Sequence, residues 1–193
     1  MTLIVKTIVK TLLQTLFLSC LLLQPLHAAE TRMNVRQAGS MLIVEGQLEV
    51  PVNQTTAWAV LTDYARFPEF VPGLNGSRLL EERNTVKLVE QRGTVIAGQF
   101  RMPFQGVVKI EEHKSEGHPG IIRVVFVSGP LKDVQGEWNI KPGKPLDLSY
   151  RMQMDMLKSP FPPPLAVTII EQQVRTWVEA FAREMQVMKR KKE

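Results

Sequence analysis

The sequence predicts an α+β domain in which a curved antiparallel sheet of about seven strands wraps around one long C-terminal helix. Two observations indicate this fold class. A series of segments with alternating apolar and polar residues is separated by brief spacers rich in Gly, Pro and Asn, which is typical of hairpins. One long C-terminal segment repeats its apolar residues every three or four positions, which is typical of an amphipathic helix.

The first 29 residues differ from the rest of the chain and are predicted to be a cleavable signal peptide. Their only charges are Lys6 and Lys10, an apolar run follows over 11–23, and small residues end the segment at Ala28 and Ala29. This order is typical of a secretory signal, and the run is shorter than the ~20 apolar residues of a membrane span. We therefore expect cleavage near Ala29 and export to the periplasm.

Two alternatives stay open for this segment. One is a retained anchor that begins at Met1, and the other is lipid attachment at Cys20, whose neighbours are too apolar for a good lipoprotein signal. Cys20 is the chain's one cysteine, so cleavage would leave residues 30–193 without a disulfide or a thiol. A chain of that length is enough for a single domain with its own core.

Cleavage would also remove Lys6 and Lys10 and lower the formal net charge from +5 to +3. Much of the remaining excess lies in a basic C-terminal tail, Lys189-Arg190-Lys191-Lys192. Because cations suit the C-terminal end of a helix, a solvated helix end is the first interpretation, and a peripheral contact with an anionic membrane is the second. Elsewhere the basic residues are interspersed with acidic ones, which argues against a nucleic-acid partner.

The first predicted strand covers 41–50. Its apolar residues alternate onto one face, namely Leu42, Val44, Leu48 and Val50. Asn53 suits the N-cap of a helix that runs to Thr62. A second short helix is predicted over 65–70, and the composition of 71–76 predicts a turn.

Six further strands are predicted with short spacers between them, so the sheet is expected to meander through hairpins. Their approximate spans are 77–82, 85–93, 99–112, 120–128, 131–141 and 145–156. The last strand alternates most clearly, and its apolar face carries Leu146, Leu148, Tyr150, Met152, Met154 and Met156. A sheet with one apolar face needs a cover on that face.

The expected cover is a helix over 165–188, which follows the stiff proline-rich segment 160–164. Its apolar stripe comprises Val167, Ile170, Val174, Trp177, Phe181, Met185 and Met188. At 1.5 Å per residue such a helix is about 36 Å long, which is enough to cross the sheet.

The sequence shows no familiar catalytic constellation, metal motif or cofactor fingerprint, so neither a cofactor nor a metal is expected. After cleavage the only histidines are His113 and His118, which lie in or beside a turn and lack the ligand spacing of a zinc site. The Gly-x-Ser-x-Gly elbow and the glycine loops that bind phosphates or dinucleotides are missing as well.

Large, adaptable apolar side chains recur on the strands and the helix, and they form the candidate lining of a ligand cavity. Small-molecule pockets are mostly apolar with a few polar groups, and methionine suits them because it is flexible. The apolar candidates are Phe100, Met102, Phe104, Phe126, Trp138, Tyr150, Met152, Met154, Val174 and Trp177. An ordinary, fully packed core is the alternative interpretation of the same residues.

Glu90 and Arg92 are the candidate polar groups of that cavity. They share strand parity with Val86 and Leu88, so they would point inward if that face is the buried one. Inward charges would need each other or a ligand, because isolated buried charges are costly. The alternative is that this strand end is exposed to solvent.

The order of the elements and several local strings resemble the helix-grip fold of the START-like (SRPBCC) superfamily. The nearest branch is the polyketide cyclase/dehydrase and coenzyme-Q-binding group. The resemblance covers about residues 40–188. The matching strings are Val50-Pro51-Val52-Asn53, Trp58-Ala59-Val60-Leu61-Thr62-Asp63-Tyr64, Phe67-Pro68-Glu69-Phe70-Val71-Pro72-Gly73-Leu74, Gly136-Glu137-Trp138 and Pro162-Pro163-Pro164.

The resemblance implies a cavity between sheet and helix that holds a hydrophobic small molecule or lipid, and it supplies no catalytic residues. Export departs from the coenzyme-Q-binding proteins, which act inside the cell or organelle. We therefore expect an exported binding or carrier protein, whose ligand and oligomeric state the sequence does not name. The alternatives are a cyclase or dehydratase that acts on an apolar, polyketide-like substrate through Glu90, Arg92 and Tyr150, and an interaction module with a filled core.

Overall fold

The computed structural model describes residues 31–115 and 117–191. The predicted signal peptide, its cleavage site at Ala29 and the alternatives at Met1 and Cys20 lie outside the described residues, as does Lys192 of the basic tail. Within the described ranges, none of the helices combines the length and hydrophobicity of a membrane-spanning segment.

Within residues 31–115 and 117–191, eight strands form one antiparallel sheet, which is one strand more than the sequence predicts. In the order in which they lie side by side, they are β1-β2-β8-β7-β6-β5-β4-β3. Their bounds are β1 Arg32–Ala38, β2 Met41–Val50, β3 Leu74–Arg83, β4 Val86–Ala97, β5 Phe100–His113, β6 Gly120–Phe126, β7 Gln135–Lys141 and β8 Leu146–Asp155. All neighbours except β2 and β8 are consecutive in the chain, so the predicted meander is confirmed.

Helix α1 covers Gln54–Thr62 and the short helix α2 covers Phe67–Phe70, with a 3₁₀ turn between them at Tyr64–Arg66. The predicted N-cap is confirmed, because Asn53 Oδ1 accepts a hydrogen bond from the backbone N of Thr56 at 2.8 Å. Helix α3 covers Pro163–Arg190, and its 28 residues make it about 42 Å long. The structure is therefore the helix-grip fold that the sequence predicts.

The apolar face of the sheet is concave and holds α3. The register of β2 against β8 places Leu42 opposite Met154 and Val44 opposite Met152, and all four side chains are buried. Gly46 of β2 faces the helix, because a Cβ built there would lie 3.7 Å from Val178 Cγ2, which is an ordinary van der Waals distance, and 3.1 Å from Met33 Sδ. Helix α3 approaches β2 and β4 most closely, and over β6, β7 and β8 large side chains fill the wider space.

Three details differ from the sequence-based expectations. Strand β1 was not predicted, because only Met33 and Val35 of its seven residues are half-buried and the others are exposed. The strand predicted over 131–141 begins only at Gln135, and the residues before it form a loop that buries Leu131. Val167 lies outside the apolar stripe of α3 and is exposed, whereas Ala166 and Ile169 take the buried positions.

Candidate ligand-binding cavity

In the part of the chain that the structure describes, two small chambers lie between the sheet and α3. Four residues line both of them: Val124, Phe126, Tyr150 and Trp177. The Phe161 chamber lies under the N-terminal half of α3, where Phe161, Leu131 and Met154 close it. The Phe67 chamber lies under α2, where Phe67, Val71 and Leu74 close it. Because the two chambers share walls, movement of a few side chains would join them into one cavity.

The chambers are narrow in this conformation. The Phe161 chamber leaves about 40 Å³ for the centre of a water molecule, and the Phe67 chamber leaves about 80 Å³. A single water needs about 10–15 Å³ on this scale, so the core is not completely filled. A molecule larger than a small ring system would have to displace side chains, and Met152 and Met154 are the adaptable ones on the wall.

Seven of the twelve predicted site residues line these chambers: Phe126, Trp138, Tyr150, Met152, Met154, Val174 and Trp177. Three others lie nearer the tip of the β4–β5 hairpin and pack against the core instead. Phe100 contacts Phe161 edge to face, with 5.9 Å between ring centroids, Phe104 contacts Phe126 in the same way at 6.5 Å, and Met102 is half-buried. Contact of any of these residues with a ligand stays a prediction.

The inward orientation expected for Glu90 and Arg92 is wrong. The buried residues of β4 are Val89, Gly93 and Val95, so the opposite parity faces outward. Glu90 accepts hydrogen bonds from Arg78 Nη2 at 3.2 Å and from Gln105 Nε2 at 3.4 Å. Arg92 is exposed and lies beside Gly76 on the outer face. Val86 and Leu88, which set the expectation, are themselves only half-buried.

The charged residues that do face inward on these strands are Lys87 and Glu112, which the sequence analysis missed. Lys87 Nζ lies 2.8 Å from Glu112 Oε1, and the Tyr64 hydroxyl donates to the same oxygen at 2.5 Å. Burial acts to lower the pKa of Lys87, but the hydrogen bonds and charges of Glu112 and Glu82 together outweigh burial and raise that pKa. This network secures the 3₁₀ turn after α1 to the sheet. Neither charged residue lines a chamber.

The outer wall of the Phe67 chamber is also fastened to α3. Arg66 Nη2 lies 2.9 Å from Glu184 Oε1, and Trp177 Nε1 donates to the Pro72 carbonyl at 3.2 Å. The rings of Phe67 and Phe181 meet edge to face with their centroids 5.0 Å apart. Segment 64–74 therefore covers this end of the cavity and is held to α3 by these contacts.

Tyr150 is the central polar group of the cavity. It is 8% exposed and its ring lies 4.5 Å from that of Trp138, centroid to centroid. Its hydroxyl occupies the space over Gly136, where a Cβ would overlap it. Within residues 31–115 and 117–191 this hydroxyl has no hydrogen-bond partner, and burial raises the pKa of Tyr150, so the group stays protonated.

Gln173 is the second buried polar side chain, and the sequence analysis did not select it. It is 8% exposed, lines the Phe161 chamber and accepts a hydrogen bond through Oε1 from the backbone N of Ile96 at 3.4 Å. The signal was present, because Gln173 stands three residues after Ile170 and four before Trp177, on the apolar stripe of α3. A polar residue on such a stripe is buried with the apolar ones and therefore needs a hydrogen-bond partner in the core.

Solved structures of other proteins share this fold at low sequence identity. A STAR-related lipid transfer protein from Xanthomonas axonopodis is 16% identical, with a TM-score of 0.62 over 81% of this chain and 98% of that one. The Zhui aromatase/cyclase from Streptomyces sp. R1128 is 18% identical, with a TM-score of 0.55 over 76% and 94%. Human StAR-related lipid transfer protein 5 is 9% identical, with a TM-score of 0.61 over 95% of each chain.

The sequence itself identifies the family. Residues 50–182 match the model of the family described as polyketide cyclase/dehydrase and lipid transport. The chain belongs to this family. No curated protein sequence matches the chain.

Alkaline titration tests the burial of the two tyrosines, which are the only ones in the chain. Burial is the main cause that raises the pKa of both Tyr64 and Tyr150, above the value of about 10 in an unfolded chain. Their neutral forms therefore stabilise the fold below that pH, and this contribution is lost as the pH rises further. We expect phenolate absorbance to appear only together with loss of the circular-dichroism signal. Reversible ionisation of either tyrosine in the folded protein near pH 10 would contradict the structure.

Proposed function

We propose that this protein binds and carries a hydrophobic small molecule or lipid in the cavity between the sheet and α3. The observation that supports the proposal is the pair of chambers, whose shared walls are Val124, Phe126, Tyr150 and Trp177. A core that only stabilises the fold is packed as densely as an organic crystal and leaves few voids larger than a water. The third possibility, an interaction module with a filled core, is therefore disfavoured.

The enzymatic alternative loses the acid–base pair on which it depended. Glu90 and Arg92 lie on the outer face, and no charged residue lines either chamber within the described part of the chain. A general acid or base must come within hydrogen-bond reach of its substrate. Tyr150 alone remains, and its raised pKa makes it a hydrogen-bond donor rather than a base. The geometry therefore favours binding over a cyclase or dehydratase reaction.

The ends of the cavity are the proposed entries. Val71 and Leu74 close the Phe67 chamber, and Phe161 closes the Phe161 chamber at the start of α3. Exposed apolar side chains occur in the segments around the second end, including Ile96, Leu157 and Leu165. We propose that a ligand enters by displacement of one of these covers.

We also propose that the protein acts in the periplasm. This part of the proposal rests on residues 1–29 alone, with their basic start, apolar run and small residues before Glu30. An exported carrier could take up an apolar molecule that water does not dissolve.

A cavity-filling substitution tests the carrier proposal. Val174 is buried and lines the Phe161 chamber, so Val174→Phe would fill that space at a cost of about 1–3 kcal/mol in stability. We expect apolar molecules to co-purify with the wild-type protein in native mass spectrometry. The variant should bind an apolar fluorescent probe about tenfold more weakly, which corresponds to about 1.4 kcal/mol.

The matched control is Val167→Phe, which adds the same ring at an exposed position of the same helix. It should leave probe affinity unchanged. If the wild-type protein carries no apolar molecule and binds no apolar probe, the carrier proposal fails. Equal loss of affinity in both variants would place the binding site elsewhere.

Export is tested with the full chain in a Gram-negative host. We expect the protein in the periplasmic fraction, with Glu30 as the first residue in N-terminal sequencing. A mass that still contains residues 1–29, with the protein in the membrane fraction, would contradict cleavage and favour the retained anchor. A mass increase at Cys20 would favour lipid attachment.

A further inference from the structure

The polar groups on the chamber walls are few, and all of them are neutral. The Tyr64 hydroxyl already donates to Glu112, and the Gln135 amide oxygen accepts from Gln153 Nε2 at 2.7 Å. Gln91 is half-buried. Tyr150 and Gln173 remain as polar side chains that are more than nine-tenths buried and line the Phe161 chamber.

The Tyr150 hydroxyl stands in apolar surroundings without a hydrogen bond from the described residues. In that part of the chain the completely enclosed unpaired side-chain atoms are Ser77 Oγ and Asn139 Oδ1, so the Tyr150 hydroxyl keeps a little surface for a partner. A hydroxyl left unpaired in such surroundings costs up to about 1–3 kcal/mol, which phenylalanine at this position would avoid. Such groups in folded proteins call for an explanation, and a role in ligand binding is one of them. Because its raised pKa keeps the phenol protonated, the hydroxyl offers a proton to a partner inside the cavity.

Gln173 adds a second donor to the same chamber. Its Oε1 is engaged with the Ile96 backbone N, so Nε2 is the end of the amide left for another partner. In the described part of the chain, Nε2 makes no hydrogen bond. Because Tyr150 and Gln173 both line the Phe161 chamber, a ligand there would meet two possible donors, and a carbonyl oxygen has two lone pairs for them.

We infer that the ligand is a neutral, largely apolar molecule with a carbonyl oxygen, such as a ketone or an ester, which accepts a hydrogen bond from Tyr150 and from Gln173. This inference rests on the proposed function and names the ligand class of the same cavity. The aromatic walls Phe126 and Trp177 would enclose the apolar body of the ligand.

The same walls disfavour an ionised ligand. A carboxylate or phosphate placed in the cavity would lose its hydration, and burial of an unpaired charge is far more costly than burial of a carbonyl. The nearest inward cation on these strands, Lys87, is already bound to Glu112 and lies outside both chambers. A charged head group would therefore have to stay outside the cavity.

The experiment uses three probes of one shape with the mature protein at neutral pH. They are 2-acetylnaphthalene, its hydrocarbon analogue 2-isopropenylnaphthalene, in which CH₂ replaces the carbonyl oxygen, and 2-naphthoate, which is charged. Isothermal titration calorimetry measures their affinities for the wild-type protein and for Tyr150→Phe. We expect the ratio of ketone affinity to hydrocarbon affinity to fall about two- to tenfold in the variant, as one hydrogen bond predicts.

Gln173→Leu should lower the same ratio, and Gln172→Leu is its matched control, because Gln172 is the exposed neighbour on the same helix. Without ligand, Tyr150→Phe should unfold at the same temperature as the wild type or higher, since it removes an unpaired hydroxyl. A clear loss of stability in Tyr150→Phe would show a structural partner for the hydroxyl and overturn the inference.

The outcomes separate the inference from the proposed function. If the hydrocarbon and the ketone both bind and Tyr150→Phe leaves their ratio unchanged, the carbonyl inference is overturned and the carrier proposal stands. Binding of 2-naphthoate as tight as that of the ketone would likewise overturn it. If no probe binds the wild-type protein, the carrier proposal fails, and the inference that rests on it fails too.

Discussion

The contact between α3 and the concave face of the sheet is the constraint on which the rest of the structure depends. The apolar face that β2 and β8 share has to be covered, and among the helices of the described residues only α3 is long enough to cover it. The helix comes close to β2, where Val178 lies over Gly46, and stands further off over β6, β7 and β8. The cavity is a consequence of this uneven approach, because the wider side is filled by large side chains that do not close it completely.

The sequence predicts the strands under the helix well and the sheet edges poorly. Strand β8 alternates apolar and polar residues along its whole length. This alternation alone places Tyr150, Met152 and Met154 on one apolar face, which is the cavity side. Alternation assigns parity, but it does not say which parity faces the core. On β4 the inward-facing positions mix the buried Val89 and Gly93 with the half-buried Lys87 and Gln91. The apolar residues of the other parity are half-buried or, at Ile96, exposed. Glu90 and Arg92 were misplaced for that reason. Strand β1 has too few apolar residues to predict at all, since it only extends an edge.

The partner of Gln173 and the lack of a partner at the Tyr150 hydroxyl could not be predicted, because both follow from contacts that form only in the folded chain. Tyr150 fits the apolar face of β8 by pattern, but its lack of a partner follows from three-dimensional packing over Gly136. Gln173 interrupts the apolar stripe of α3 visibly, yet its partner Ile96 comes from a hairpin 77 residues away in the chain. In the proposed site, these two donors would favour an apolar ligand that accepts hydrogen bonds. Solved structures of similar fold share 9–18% identity with this chain, which is too little to transfer a ligand to it.

The most direct measurement for the central claim is a crystal structure of the mature protein under xenon pressure. Xenon enters cavities that are apolar and otherwise empty, so it reports the chambers without the need to know the natural ligand. We expect xenon between Phe126, Tyr150 and Trp177, where the two chambers share their walls. A crystal in which this space is closed by side chains, with no xenon between the sheet and α3, would show a filled core and contradict the account.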